Sequence, residues 1–138
     1  MTGVLVLIGT LVLASVAGLV VRARNGKVRE TATARPLPAD VRDALAPGGV
    51  TLVQLSTTFC APCRHTRVLL ADLASRTDGL HHAELDLTER PDLARELSVL
   101  RTPTTLAIDE RGTELLRVGG IPKRDALLAA LRPHLATA

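Results

Sequence analysis

The chain has 138 residues, enough for one domain of about a hundred residues and a further segment. Its formal net charge of +3 has a local origin, because residues 22–30 hold four of the 17 basic side chains and one of the 14 acidic ones. From residue 31 onward, 13 basic and 13 acidic residues balance. This balance argues against a nucleic-acid-binding domain, since such a domain needs a basic face.

The first predicted element is a membrane segment. Residues 3–21 contain no charged side chain and would span roughly 28 Å as a helix, close to the ~30 Å of a hydrocarbon core. We therefore predict an uncleaved transmembrane anchor over residues 1–21. There are two alternatives. One is a cleaved signal peptide ending near Ser15, Val16 and Ala17, but Met1 and Thr2 supply no basic n-region for it. The other is a buried core helix.

Residues 22–36 are predicted to form a basic, polar linker. If flexible, it would reach roughly 20 Å from the membrane. All of the flanking positive charges lie on the C-terminal side of the apolar segment, and such charges tend to stay in the cytoplasm. The expected topology is a single-pass membrane protein with a cytoplasmic domain; an outward-facing domain is the alternative.

Residues 37–138 are predicted to be one α/β domain. In chain order, hydrophobic periodicity and turn residues indicate a helix over 38–46, a strand over 50–56 and a helix over 61–76. A strand over 81–87, a helix over 91–97, a hairpin of strands 104–108 and 113–118, and a helix over 124–135 follow. This order predicts a central mixed sheet of about four to five strands flanked by helices.

The residues with the clearest chemistry are Cys60 and Cys63, the two cysteines of the chain. They form a C-A-P-C motif directly after the predicted strand 50–56, where a redox-active dithiol would lie at the start of a helix. A structural disulfide is a weaker alternative for a cytoplasmic domain. A zinc site would need further ligands, with His65, His81 and His82 as the candidates.

Three motifs in order resemble the thioredoxin family over residues 36–138. They are Phe59 with the C-A-P-C sequence, the Thr102-Pro103-Thr104 segment, and Gly119-Gly120. The resemblance implies a thioredoxin-like fold and a protein-disulfide reductase that uses no metal and no cofactor besides the redox-active disulfide. It also implies that Pro103 follows a cis peptide bond beside the dithiol.

The resemblance also assigns roles within the site. Cys60 would be the attacking thiolate, favoured by the helix N-terminus, and Cys63 would resolve the mixed disulfide. Pro62 is tolerated because its missing N–H falls in the first helical turn. Phe59 would take the place of the family's usual tryptophan and shield the site.

The substrate and partner predictions follow from the same resemblance. Thr102, Pro103, Gly119 and Gly120 would hold an extended substrate segment by strand addition. The expected partners are disulfide-containing proteins, a thioredoxin-reductase-type electron donor and the membrane, with no nucleic acid. There are two alternative functions. The domain could face outward as an oxidase, isomerase or cytochrome-maturation-type reductant, or it could be a non-catalytic binding module.

Position 54 departs from the family pattern, and Ala61-Pro62 replaces the family's usual Gly-Pro. Gln54 stands where the family usually carries a buried acid that helps to deprotonate the second thiol, and an amide cannot act as a base. Resolution by Cys63 would then be slower, or would use water or Glu84 on the neighbouring strand instead.

Overall fold

A computed structural model describes residues 1–135, so the last three residues of the predicted domain 37–138 lie outside the described residues. The elements in chain order are α1 (Thr2–Arg24), β1 (Val28–Thr33), α2 (Ala39–Asp43), β2 (Val50–Ser56), α3 (Ala61–Arg76), β3 (Leu80–Asp86), α4 (Pro91–Glu96), β4 (Thr104–Asp109), β5 (Glu114–Gly119) and α5 (Arg124–Leu135). The elements predicted after residue 37 are confirmed in type and order, with ends displaced by at most three residues.

Helix α1 is the predicted apolar segment. Among residues 1–135 it is the single helix long and apolar enough to cross a membrane, with a mean hydropathy of 2.8, and a signal sequence would meet the same criteria. None of its residues is buried. The helix therefore projects from the rest of the chain with its apolar surface uncovered.

Strand β1 corrects the prediction of a polar linker for residues 22–36. Within that range, Val28–Thr33 pairs antiparallel with β5 and becomes the edge of the sheet. The strand has two apolar side chains, and only one of them, Val28, packs against the core, whereas Ala32 is exposed. A solvated edge strand lacks the alternating apolar pattern that marks a strand in sequence, because only one position needs to be buried.

The five strands form one mixed sheet in the order β1-β5-β4-β2-β3. Strand β2 runs parallel to β3 and antiparallel to β4, and β5 is antiparallel to both β4 and β1. The C-terminal ends of β2 and β5 and the N-terminal ends of β4 and β1 therefore meet at one end of the sheet. We call this end the dithiol end, because Cys60 follows β2 there.

Two apolar layers cover the faces of the sheet. On one face, Leu52 and neighbouring side chains pack with Leu70 of α3 and Leu127 of α5. On the other face, Val53 and Leu55 pack with residues of α2 and α4. All seven residues of β2 are buried. Since side chains alternate along a strand, Gln54 lies on the same face as Leu52, beneath α3.

Candidate active site

The two cysteines form a disulfide at the start of α3. Their sulfurs are 2.07 Å apart and their Cα atoms 5.2 Å apart. Cys60 is the N-cap residue, and the backbone N–H of Cys63 donates a hydrogen bond to its sulfur at 3.2 Å. Pro62 lies in the first turn, as predicted, where its missing N–H removes no helical hydrogen bond. The first turn of the helix thus directs a backbone donor at the outer sulfur.

The two sulfurs differ in access. Cys63 is 2% exposed, whereas Cys60 is half-buried. Both line a cavity of about 600 Å³, together with the side chains of Arg64 and Arg67. A partner can therefore reach the Cys60 side of the disulfide from solvent, and the nearby cations and helix N-terminus favour a negative charge there.

The predicted substrate loops contact each other and the segment before Cys60. The Thr102–Pro103 peptide bond is cis, as expected, and the carbonyl of Pro103 accepts a 2.7 Å hydrogen bond from the N–H of Gly120. The hydroxyls of Thr102 and Thr57 are 3.2 Å apart, which joins this loop to the segment before Cys60. Within residues 1–135, the backbone N–H and C=O of Thr102 bond to no other backbone group.

Phe59 lies directly before the dithiol in an unusual backbone conformation. Its φ is 62°, and its side chain is fully exposed while lining the same cavity as Cys60. A left-handed conformation in a non-glycine residue is uncommon. The ring extends into solvent, and its shielding of the disulfide stays a prediction.

Gln54 is fully buried, and its side chain contacts the backbone of Cys63. Its Nε2 donates to the carbonyl oxygen of Cys63 at 2.9 Å and approaches the carboxylate of Glu84 at 3.4 Å. Both of these partners only accept hydrogen bonds, so the amide orientation is set. The Gln54 Oε1 must then accept from the Nε2 of His82, 3.2 Å away.

Glu84 connects this buried amide to the protein surface. Arg67 holds its carboxylate with two hydrogen bonds, at 2.5 and 2.8 Å, and the hydroxyl of Ser56 donates a third at 2.5 Å. The hydrogen bonds from Arg67 lower the pKa of the Glu84 carboxyl most; burial opposes them, and the hydrogen bond from Ser56 lowers the pKa further. Glu84 therefore stays ionised at neutral pH.

Comparisons with known proteins address the same part of the chain. The family model described as Thioredoxin matches residues 38–133, which include the cysteines, Pro103 and all of the sheet except β1. This chain belongs to the thioredoxin family. The N-terminal helix and the added edge strand lie outside the matched range.

Individual relatives agree with the family assignment. This thioredoxin-family chain is 33% identical over 96 residues to Thioredoxin-2 of Pyricularia oryzae, covering 68% of this chain and 56% of that protein. It is 32% identical over 110 residues to a bifunctional thioredoxin reductase/thioredoxin of Mycobacterium leprae, covering 79% of this chain and 23% of that protein. A mutant thioredoxin from Halobacterium salinarum shares the fold with a TM-score of 0.62 and 24% identity, over 71% of this chain and 85% of that structure. The chain thus spans little more than half the length of Thioredoxin-2.

The structure places the expected substitute for the family's buried acid next to Gln54. Glu84 is paired with Gln54 across the parallel strands β2 and β3, so both side chains lie on the α3 face. However, its ion pair with Arg67 lowers the pKa of Glu84, which makes this carboxylate a weak proton acceptor. Glu84 lines the same cavity as Cys63, but its lowered pKa makes it a poor base.

Sequence reasoning missed His82. The pair His81-His82 is typical of a solvated strand entry, but His82 is half-buried and its pKa is lowered, chiefly by burial. It lies two residues before Glu84 on the same strand, so the two side chains share one face of the sheet. This alternation along the strand was the sequence signal that could have placed His82 beside Glu84. His65, in contrast, is exposed on α3.

No metal-binding arrangement is present in the part of the chain that the structure describes. No three His, Cys, Asp or Glu side chains come together there with suitable geometry. The cysteine sulfurs are bonded to each other, and His82 is hydrogen-bonded to Gln54. These contacts offer no support for the zinc alternative.

Proposed function

We propose that this protein is a membrane-tethered thiol–disulfide oxidoreductase that reduces disulfides of other proteins in the cytoplasm. The observation that carries the proposal is the disulfide at the start of α3, with Cys60 accessible and Cys63 buried. Family membership supports the reaction class. The apolar helix α1 and the basic residues that follow it support the tether and the orientation.

In the reduced protein, the Cys60 thiolate attacks one sulfur of a substrate disulfide. A mixed disulfide forms and the other substrate sulfur leaves as a thiolate. Cys63 then loses its proton and attacks the sulfur of Cys60, which closes the observed disulfide and releases the second substrate thiolate. Two electrons pass to the substrate, and an external dithiol reductant must restore the protein.

An extended substrate segment would bind at the loop before β4. The backbone groups of Thr102 are available for pairing, and Gly120 lies next to this loop, where its N–H donates to the carbonyl of Pro103. The proposed electron donor is a thioredoxin-reductase-type enzyme. The relative from Mycobacterium leprae, named as a bifunctional thioredoxin reductase/thioredoxin, supports this choice.

The test is capture of substrates in cells by the full chain. Cys63→Ser should accumulate mixed disulfides through Cys60, because the resolving sulfur is gone, and reductant should release them. Cys60→Ser is the matched control, since it removes the accessible sulfur and keeps the buried one. Equal capture by both variants, or none by either, would refute the reductase proposal. Protease protection in sealed vesicles tests the orientation separately.

A further inference from the structure

Helix α1 joins the domain at the dithiol end of the sheet. The carbonyl of Gly119 accepts a 2.9 Å hydrogen bond from the N–H of Gly26, two residues after the helix. Strand β1 then starts opposite Val118, so only the three residues 25–27 separate helix α1 from the sheet. Such a segment spans at most about 10 Å. The end of the helix is thus held next to the substrate loop.

The junction fits closely enough to fix this arrangement. The side-chain oxygen of Asn25 accepts a 3.0 Å hydrogen bond from Nη1 of Arg101, the residue before Thr102. A Cβ on Gly26 would lie 2.2 Å from the carbonyl oxygen of Ile121, and one on Gly120 would lie 2.2 Å from Oδ1 of Asn25. The backbone after the helix is therefore packed directly against the loop, with no room for a flexible tether.

The side chains around the junction match a bilayer surface. Arg24, Lys27, Arg29 and Arg101 line one cavity of about 330 Å³, and the side chain of Leu100 at its edge is fully exposed. Basic residues near a membrane surface gain about 1 kcal/mol each from anionic headgroups. An exposed apolar side chain among them suits the boundary between headgroups and acyl chains.

From this junction we infer that the dithiol faces the membrane, and that the substrates are disulfides of membrane-anchored proteins lying close to the bilayer surface. The inference rests on the proposed function and narrows it to one substrate class. Because no residue of α1 is buried and its C-terminal end meets the domain at the dithiol end, the bilayer that holds it lies beyond that end. The opposite end of the sheet, at the hairpin 109–113, then lies about 20 Å further away, the length of six residues of strand.

The geometry can be measured without any activity. In the full chain carrying Cys60→Ser and Cys63→Ser, a single dye is attached either at Phe59→Cys or at Arg111→Cys in the far hairpin. The protein is reconstituted into phosphatidylcholine vesicles that contain an acceptor dye on the headgroups. Energy transfer should be clearly stronger from position 59 than from position 111. Equal or reversed transfer would overturn the inference.

The substrate class is tested by single turnover of the pre-reduced full chain in the same vesicles. Two transmembrane peptides carry the same disulfide, one directly outside the bilayer and one beyond a spacer of 20 flexible residues, which reaches roughly 25 Å. Both are confined to the membrane, so only the height of the disulfide differs. The near disulfide should be reduced about tenfold faster, because its effective concentration at the dithiol is higher.

One variant changes the junction, its matched control changes a loop elsewhere, and both leave the site intact. Six Gly and Ser residues inserted between Arg24 and Asn25 separate the helix from the docked junction and should abolish the preference for the near peptide. The same insertion between Arg35 and Pro36, in an exposed loop after β1, should preserve it. Equal rates for both peptides with the natural chain would refute this inference alone. Reduction of neither peptide would refute the proposed function and the substrate class with it.

Discussion

Replacing Gln54 by Glu tests the buried hydrogen-bond arrangement beneath the dithiol. The two side chains have the same shape, so the change places an oxygen where Nε2 now donates to the carbonyl of Cys63 at 2.9 Å. That oxygen would also lie 3.4 Å from the carboxylate of Glu84. Unless it carries a proton, the introduced carboxyl faces two acceptors and gains no donor in exchange.

The cost can be worked out from this distance. Two unit charges 3.4 Å apart repel by about 5 kcal/mol at an effective dielectric constant of about 20. Burial adds to the effect, and the cation of Arg67 beside Glu84 reduces it. The introduced carboxyl should therefore stay protonated in the folded state well above the ordinary Glu pKa of about 4.3.

A raised folded-state pKa makes the variant lose stability as the pH rises. Relative to the natural chain, the loss begins near the unfolded pKa of about 4.3 and grows by about 1.4 kcal/mol per pH unit until the folded-state carboxyl ionises. At pH 7 the loss is at most about 3.7 kcal/mol, from the same slope. Urea unfolding of the oxidised full chain in detergent micelles, followed by far-UV circular dichroism between pH 5 and pH 8, measures it.

Two further variants separate the cause from simple loss of the amide. Gln54→Met removes the hydrogen bonds without adding a charge, so its destabilisation should not change with pH. Combining Gln54→Glu with Glu84→Gln removes the repelling carboxylate and should flatten most of the pH dependence. A pH-independent difference between the natural chain and Gln54→Glu would refute the assigned contact between residues 54 and 84.

Two other expectations concern stability. Gly49→Ala should lower the free energy of unfolding in urea by about 2–4 kcal/mol, because φ is 145° and the new Cβ would lie 2.0 Å from the carbonyl oxygen of Gly79. Gly48→Ala is the control. Its Cβ would meet no atom within 4 Å, so the loss should be only about 1 kcal/mol. Similar costs for the two variants would contradict the close approach of residues 49 and 79. Arg67→Gln removes the main cause of the lowered Glu84 pKa, so stability should fall less as the pH drops below about 4.3. An unchanged acid profile would count against the ion pair.

The sequence predicted those parts of the site whose signal is local. The apolar run before Cys60 indicates β2, and the proline between the cysteines indicates the first turn of α3. Pro103 and the glycine pair at 119–120 could be placed beside the dithiol only through the family resemblance, since about 40 or more residues separate them from it. In the structure, Thr102 contacts Thr57, three residues before Cys60, and Pro103 contacts Gly120, so the two loops lie together near that segment; their role in binding substrate stays a prediction.

The missed features depend on packing between distant segments. Strand β1 has little apolar pattern of its own, and what stabilises it is pairing with β5. His82 is polar and borders another histidine, which suggests solvent exposure, yet it is half-buried and hydrogen-bonded to Gln54. The direction of the dithiol relative to α1 follows from the strand order, which no single segment of the sequence encodes. These properties emerge only once the sheet is assembled.

The route of the proton that leaves Cys63 can be argued from the side chains around Gln54. An ordinary thiol has a pKa of about 8.5, and a proton moved to an ordinary Glu at about 4.3 climbs roughly 5.7 kcal/mol. Arg67 lowers the pKa of Glu84 and makes that step harder still. Moving the proton to an ordinary histidine, with a pKa of about 6.5, costs roughly 2.7 kcal/mol. Burial lowers the pKa of His82, which raises this cost.

Neither neighbour is therefore an efficient base, and the proton of Cys63 must leave to solvent through the cavity that both cysteines line. Release of substrate from the mixed disulfide should then speed up about tenfold per pH unit between pH 6 and pH 8, as the thiolate fraction rises. Stopped-flow measurement of the second step, with a substrate that reports its own release, checks this. Glu84→Gln should leave the slope unchanged. If the release rate of the natural chain instead levels off towards acid pH, and this plateau disappears in Glu84→Gln, the Glu84 carboxylate would be the base despite its pairing with Arg67.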